Sequence, residues 1–195
     1  VLYKSQVEET LNDDIYKQNP KRTRSITEIV SNAIDANGKK IEVIILDGEY
    51  QVIDTGTGMS PQIIFRKVIP PKATSKEGLG DKIGRFGLGF YTALAHLETE
   101  DDSVVVETKA ENYPGYRLHF RKRNNKIQLN ITRDETITQC GTRVIVKAKA
   151  ITCKEYKEAL ITNIQYHIKT PIFVNGVMVN HFSPGKERQI LNSYV

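Results

Sequence analysis

The sequence predicts an α+β fold, a two-layer sandwich in which helices cover one face of a mostly antiparallel sheet. Segments rich in β-branched residues recur along the chain, but they do not alternate strictly with helical segments, as the strands of a parallel α/β sheet do. Two of these segments are joined by Asp47-Gly48, a dipeptide typical of a tight turn between antiparallel strands. These observations favour a sheet built largely from hairpins.

Turn-forming residues divide the first half of the chain into helical, extended and loop segments. Residues 1–20 have mixed helical character, and a helix is expected from Arg24 to Ala36, because Asn37-Gly38 ends it. Two strands are predicted next, Ile41 to Leu46 and Tyr50 to Asp54. Residues 55–89 are rich in Gly, Pro, Lys and Thr and are expected to form a long mobile loop, broken by a short helix after Ser60-Pro61.

The second half is predicted to contain a helix, four strands, a further helix and a final strand or hairpin. The first helix is expected from about Phe90 to Leu97. The other elements are bounded by turn-forming or charged residues: strands at Ser103 to Lys109, Tyr116 to Arg121, Lys126 to Ile131 and Thr142 to Lys149, a helix from Lys154 to His167, and the segment PIFVNGVMV.

Length and composition predict one domain over residues 1–195 in a soluble, cytoplasmic protein without a membrane span. With 195 residues and 39% hydrophobic residues the chain can bury one sizeable core, and no stretch approaches the roughly 20 apolar residues of a membrane span. Cys140 and Cys153 lack metal-ligand spacing, so reduced thiols are the simpler interpretation.

The positive charge allows for an anionic ligand or a nucleic acid without establishing either. The formal net charge is +5 and the isoelectric point is near 9.1. The densest basic runs are Lys21-Arg22-Thr23-Arg24 and Arg121-Lys122-Arg123. Both are typical of solvated loop ends, and a nucleic-acid surface is the alternative.

The helix from Arg24 has two distinct faces. Its apolar residues follow the i, i+3, i+4, i+7, i+8 rule and predict a buried stripe: Ile26, Ile29, Val30, Ala33 and Ile34. Glu28, Asn32 and Asp35 lie at i, i+4 and i+7 and form a second stripe nearly opposite the first. Three oxygen-bearing side chains on one stripe can build a site, but a solvated polar face has the same pattern.

Two glycine-rich segments follow this helix. Asp54-Thr55-Gly56-Thr57-Gly58-Met59 places a carboxylate at a strand end before two glycines that permit tight backbone, and such a carboxylate can accept a hydrogen bond from an exocyclic amine. Gly84-Arg85-Phe86-Gly87-Leu88-Gly89-Phe90 has a GxxGxG spacing, which lets backbone N–H groups approach phosphates ahead of a helix. Each segment alone is also typical of an ordinary turn or a flexible loop.

The order of the three motifs resembles the ATP site of the GHKL superfamily, which includes type II topoisomerases, MutL proteins, histidine kinases and the ninety-kilodalton heat-shock chaperone. TEIVSNAIDA, VIDTGTGM and IGRFGLGFYTAL look like the chaperone and MutL versions nearly letter for letter. Gly141-Thr142-Arg143 is similar to the late glycine-threonine pair of the family. The resemblance covers about Arg24 to Asn180 and implies the Bergerat fold, with ATP and Mg²⁺ as ligands. The P-loop signature GxxxxGK[ST] does not occur.

The resemblance implies a role for each polar residue of the first two motifs. Glu28 would be the general base that acts on the attacking water, and Asn32 would hold Mg²⁺ through its side-chain oxygen. Asp35 would contact the nucleotide directly or through water. Asp54 would recognise the adenine amino group, since its carboxylate would face a carbonyl oxygen in guanine.

The resemblance also implies contacts around the base and the phosphates. Gly56 and Gly58 would belong to the nucleotide site, with Met59 against adenine and Thr142 in the hydrogen-bond network around Asp54, although core packing would also explain Met59 and solvation of a strand-edge hydroxyl would also explain Thr142. The phosphates would be contacted, mostly through the backbone, by Gly84, Gly87, Leu88, Gly89 and Phe90. An ATP lid is expected at about 60–85. Its Lys76 is a candidate phosphate contact, but lysines in exposed loops are usually solvated.

The branch of the family is left open by conflicting signals. The interval between Asn32 and Asp54 is short, as in MutL and topoisomerase members, whereas IGRFGLGFYTAL and the order GTRVIV, helix, PIFVNG look more like the chaperone. We expect a chaperone-like ATPase domain that hydrolyses ATP slowly and is completed by a downstream domain or an ATP-dependent homodimer. A MutL-like or topoisomerase-type ATPase and a non-hydrolysing ATP sensor are the alternatives.

Overall fold

The computed structural model describes residues 3–7, 22–68, 86–164, 167 and 170–180. Within these ranges the strands are β1 (Tyr3–Val7), β2 (Ile41–Leu46), β3 (Glu49–Asp54), β4 (Ser103–Lys109), β5 (Tyr116–Arg123), β6 (Lys126–Arg133), β7 (Gly141–Lys147), β8 (Ile172–Val174) and β9 (Val177–Met178). The helices are α1 (Arg24–Asp35), α2 (Pro61–Ile63), which continues as a π-helical turn over Ile64–Val68, α3 (Phe86–Leu94) and α4 (Cys153–Ile164). No helix in these ranges is both long and apolar enough to cross a membrane.

The described strands form one nine-stranded sheet in the order β1-β6-β5-β4-β7-β3-β2-β8-β9. All neighbours are antiparallel except β2 and β8, which run parallel. The registers place Asp54 opposite Thr142, and Thr142 opposite Thr108. Three polar residues therefore lie side by side across the middle of the sheet.

Helices cover one face of this sheet, which confirms the predicted α+β sandwich. Residues on the covered face are buried at alternate positions, as in Val104, Val106 and Thr108 of β4. Helix α1 buries the predicted stripe, with Ile26 and Val30 fully enclosed, and it contacts α3, α4 and β3. The cavity described below lies in this interface.

Two predicted elements differ in the structure. Residues 3–7 form a strand that pairs with β6 at the edge of the sheet, so the helical prediction for this part of residues 1–20 is wrong. The cause is non-local, because the hydrogen-bond partners are backbone groups of β6, far along the chain. Helix α3 begins at Phe86 instead of Phe90, so Gly87 to Gly89 are helical rather than looped. Packing against α1 outweighs the cost of about 1 kcal/mol for each helical glycine. Of the predicted lid, residues 69–85 lie outside the described residues.

A buried polar cluster joins the start of α1 to β3, α4 and the end of α3. Ser25, Tyr50, His96 and Tyr156 are each at most 2% exposed. The Tyr50 hydroxyl donates to Ser25 Oγ at 2.8 Å, Ser25 Oγ donates to the carbonyl oxygen of Arg22 at 2.8 Å, and His96 Nε2 lies 2.9 Å from Ser25 Oγ. His96 Nδ1 is buried and has no partner among the described residues. Burial, aided by the Arg22 charge, lowers the pKa of His96 to about 4.

We expect acid to destabilise the fold through His96. Because the pKa of His96 is 6.5 in the unfolded chain and about 4 in the folded one, the unfolded state binds this proton first as the pH falls. Neutral His96 therefore adds to the free energy of unfolding. This addition is complete above pH 6.5 and is lost as the pH falls from 6.5 to 4, by about 3 kcal/mol in total. Urea unfolding at pH 7, 6, 5 and 4 measures it.

The slope of unfolding free energy against pH should flatten in His96→Gln, whatever that variant's absolute stability. His119→Gln is the matched control, because His119 is only half-buried and lies on the other face of the sheet. An unchanged slope in His96→Gln would contradict the assignment.

Candidate functional site

A cavity of about 230 Å³ lies between α1 and the covered face of the sheet. Its apolar lining comes from six elements, α1, α2 with its π-helical turn, α3, β3, β4 and β7, and from the residue after α1: Ile29, Ala33, Ala36, Val52, Ile63, Val68, Phe90, Val106 and Val144. Its polar and flexible lining is Asn32, Asp35, Asp54, Thr57, Gly58, Met59 and Thr142. An apolar slot with a few convergent polar groups suits a flat ring with polar edges.

Asp54 lies at the end of β3, where the strand leaves the sheet, and is 8% exposed. One carboxylate oxygen, Oδ1, accepts the backbone N–H of Gly56 at 2.8 Å and that of Thr142 at 3.3 Å. Among the described residues no donor reaches the other oxygen, Oδ2. Burial raises the pKa of Asp54 above its ordinary value, and the hydrogen bonds from Gly56 and Thr142 oppose that shift. The orientation of Asp54 is thus fixed by Oδ1, while Oδ2 stays available to a ligand.

Thr108 on β4 links the backbone segments on one side of the cavity. Its side chain is fully buried, and its hydroxyl donates to the carbonyl oxygen of Gly141 at 3.1 Å. The hydroxyl oxygen of Thr108 also accepts the backbone N–H of Met59 at 2.9 Å and lies 3.1 Å from the Thr142 hydroxyl. This hydroxyl therefore fixes Met59 and Thr142 relative to each other.

Two glycines allow the backbone segments of the site to approach one another. Gly58 has φ +63°, and a Cβ there would lie 1.9 Å from the carbonyl oxygen of Lys109. Gly141 has φ +132°, and a Cβ there would lie 2.2 Å from the carbonyl oxygen of Asp54. Any larger residue at either position would push the segment after β3 away from β4 and β7.

The polar stripe of α1 is divided by the structure. Asn32, half-buried, and Asp35, exposed, both line the cavity. Glu28 does not line it within the described residues; its carboxylate accepts a hydrogen bond from Arg24 Nε at 3.0 Å. Arg24 lies one turn toward the N-terminus, on the side of Glu28 away from Asn32. The structure thus brings Asn32 and Asp35 to the cavity and holds Glu28 one turn away.

The remaining predicted site residues fall into three groups. Met59, Gly58 and Phe90 line the cavity, and Gly56 supports Asp54 without lining it. The backbone of Gly87, Leu88 and Gly89 lies in the first turn of α3, where N–H groups lack partners within the helix. Lys76 and Gly84 lie outside the described residues.

Thr108 and Thr57 contribute to the site and were missed by sequence reasoning. Thr57 lies between the two glycines of the DTGTG segment and lines the cavity. The sequence does contain a signal for Thr108. In SVVVETK the residues alternate between the two faces of the strand, and Thr108 stands at an inward position where an apolar residue is expected. A buried hydroxyl needs partners, and these are the residues that it connects.

The described residues contain no cluster of three or more His, Cys, Asp or Glu side chains that could hold a metal ion. Mg²⁺ does not need such a cluster, because it commonly binds through one or two protein oxygens, substrate phosphates and water. The side-chain oxygen of Asn32, at the cavity wall, is of the right chemical kind.

The sequence of this chain is similar to those of known proteins. Residues 21–152 match the family described as histidine kinase-, DNA gyrase B-, and HSP90-like ATPase. The chaperone proteins HtpG of Ehrlichia ruminantium strains Gardel and Welgevonden are each 23% identical to this chain over 186 residues, covering 76% of the chain and 28% of the relative. The chain thus spans little more than a quarter of the length of these relatives. Since the family match includes more than half of its residues, the chain belongs to the histidine kinase-, DNA gyrase B- and HSP90-like ATPases.

Proposed function

We propose that this domain binds ATP with Mg²⁺ in the cavity beside α1 and hydrolyses it slowly. The observation that carries the proposal is the state of Asp54, whose Oδ1 accepts two backbone N–H groups while Oδ2 has no donor among the described residues. An acceptor fixed at the end of an apolar slot suits the exocyclic amine of adenine. Guanine would present a carbonyl oxygen there, and two facing acceptors repel each other.

The phosphates would extend from the base toward α1 and the start of α3. Asn32 would supply one oxygen ligand to Mg²⁺, which neutralises part of the triphosphate charge and helps align it for attack by water. N–H groups in the first turn of α3, from Phe86 to Gly89, would meet phosphate oxygens, since a helix N-terminus favours an anion. Met59 would pack on the adenine ring.

Glu28 is the residue on which hydrolysis would depend. A carboxylate one helical turn from Asn32 can reach a water beside the γ-phosphate once it leaves Arg24. Its present contact with Arg24, away from the cavity, is the observation that favours the second candidate function, a module that binds ATP without hydrolysing it.

The role of the whole protein is part of the proposal. Similarity to the two HtpG chaperones favours a chaperone-like ATPase over a MutL-like or topoisomerase-type one. The chain spans only 28% of the length of those relatives. We propose that a downstream domain or an ATP-dependent homodimer completes the ATPase site. We propose a cytoplasmic location, in keeping with the two reduced cysteines.

ATP with Mg²⁺ should stabilise the domain more than GTP does. Binding to the folded state alone adds about 2.7 kcal/mol at a ligand concentration 100 times the dissociation constant, and the thermal midpoint reports it. Asp54→Asn should weaken ATP binding by about 1–3 kcal/mol, because an amide donor would face the adenine amine. Asp101→Asn, which alters an exposed aspartate outside the cavity, is the control. Equal shifts from ATP and GTP would rule out the role given to Asp54.

Glu28→Ala should separate binding from chemistry. Loss of a general base typically slows the chemical step by about 10²–10⁴, while the contacts to adenine and phosphate remain. Single-turnover hydrolysis and ATP affinity measured on one preparation test this, with Asn32→Ala expected to impair both. Hydrolysis by Glu28→Ala at the parental rate would place the base elsewhere. A parental chain fused to its downstream region that binds ATP but leaves it intact would identify a sensor.

A triphosphate should protect residues 70–83 from protease where a diphosphate does not. This segment contains Lys72, Lys76 and Lys82 together with Gly78 and Gly80, a composition expected of a lid that orders when phosphate charge compensates the lost entropy. Trypsin cleavage with a non-hydrolysable ATP analogue is compared with cleavage with ADP. Cleavage after Arg123 and Lys126, the strand residues on either side of the β5–β6 turn, is the internal control. Equal protection by both nucleotides would exclude sensing of the γ-phosphate.

A further inference from the structure

The uncovered face of the sheet carries a row of basic side chains along β5. Leu118 and Phe120 point to the covered face and are buried, so the residues between and beside them point outward. These outward residues are Arg117, His119, Arg121 and Arg123. The basic run at residues 121–123 is thereby divided, since Lys122 lies on the other face and donates to the carbonyl oxygen of Glu98 at 3.1 Å.

Carboxylates compensate the two ends of this row and not its middle. Arg117 contacts Glu107 at 2.8 Å and Asp134 at 3.1 Å, and Arg123 pairs with Glu100. Arg121 instead donates from Nε to His119 Nε2 at 2.8 Å, and no carboxylate contacts it among the described residues. The guanidinium of Arg121 therefore keeps its positive charge uncompensated on an exposed surface.

Arg117 and Arg121 stand on either side of His119 on the same face of β5. Partial burial lowers the pKa of His119, and the charges of Arg121 and Arg117 lower it further. The imidazole thus accepts the hydrogen bond of Arg121 in its neutral form.

The adjacent strand β6 extends the surface with amides and one more cation. The register places Lys126 beside Arg123, Gln128 beside Arg121 and Asn130 beside His119. Gln128 and Asn130 are exposed on the same face, about 4.8 Å away across the strand spacing. Neither β6 position presents an acid. A row of basic side chains, with the cation of Arg121 at its middle, therefore runs beside amides that both donate and accept hydrogen bonds.

We infer that this surface, Arg121, His119, Lys126, Gln128 and Asn130, binds a single-stranded nucleic acid. Arg121 on β5 and Lys126 on β6 are diagonal neighbours across the strand pair, since Lys126 lies opposite Arg123. Diagonal neighbours of this kind are about 7–8 Å apart, so Arg121 and Lys126 can contact successive phosphates of an extended chain. The amides of Gln128 and Asn130 would meet sugars or base edges beside them. A flat sheet face offers no helix or ribbon to enter the groove of a duplex. No Phe, Tyr or Trp lies in the two rows, so binding rests on phosphate contacts rather than on base stacking and is sensitive to salt.

The test is fluorescence anisotropy of a labelled 20-nucleotide single strand of mixed sequence, titrated with the 195-residue protein at 50, 100 and 200 mM salt. Each phosphate contact contributes a slope of about 0.7 in log affinity against log salt for single strands. The double variant Arg121→Gln/Lys126→Gln removes two contacts. It should bind on the order of tenfold more weakly at 100 mM salt, with a slope smaller by about 1.4.

Lys149→Gln/Lys154→Gln is the matched control, because it removes the same charge from two exposed lysines outside β5 and β6. It should change affinity less than twofold. Circular dichroism and urea unfolding establish that both double variants fold, independently of any nucleotide binding. ATP stabilisation should be the same in the Arg121→Gln/Lys126→Gln variant as in the parent, since the helical face is untouched.

Three outcomes would overturn the inference. They are absence of binding by the parent at 50 mM salt, equal weakening in the two double variants, and tighter binding of a duplex of the same sequence. Competition by poly-glutamate as effective as that by the unlabelled single strand would overturn it too, because the surface would then recognise acidic polypeptides. If the parent protein does not bind ATP, that result refutes the proposed function alone and leaves the inference about the β5–β6 surface standing.

Discussion

The site depends on the burial of one apolar stripe of α1 against the sheet. Ile26 and Val30 are fully enclosed, so the helix can neither rotate nor slide without exposing them. This packing also fixes the polar stripe of α1, so that Asn32 and Asp35 lie over the end of β3. Ser25 adds a polar constraint at the start of the helix, where it joins Tyr50 and His96. The position of the polar groups is therefore set by the packing behind them.

Backbone groups complete the site around Asp54. The carboxylate is buried against its preference for water, and hydrogen bonds from two backbone N–H groups compensate part of that cost. The bond from Thr142 needs the close approach of Gly141 to the backbone of Asp54, where a Cβ would lie 2.2 Å from the Asp54 carbonyl oxygen. Thr108 ties the same segments together from β4. A preorganised acceptor of this kind costs a ligand little reorganisation on binding.

The two faces of the sheet divide the chemistry of the domain. The covered face supplies the core and the cavity, whereas the open face carries charged side chains that pair mostly at the surface. Exposed pairs such as Arg123 with Glu100 contribute at most about 1 kcal/mol, so the stability of the fold does not depend on them. The charges of the open face are accordingly available for binding without loss of the core.

The sequence by itself determined the elements whose signals are local. Asp47-Gly48 fixed the β2–β3 hairpin, the apolar spacing from Ile26 fixed the buried face of α1, and Asn37, with φ +56°, ends that helix where predicted. The order of the motifs also predicted that Asn32, Asp54 and Thr142 belong to one site, and all three line the cavity. The tertiary structure alone decided the rest. The strand at residues 3–7 exists through the edge of β6, α3 begins at Phe86 through packing on α1, and Thr108 matters only through its neighbours across the sheet. Each of these depends on contacts between distant parts of the chain, which a local pattern does not encode.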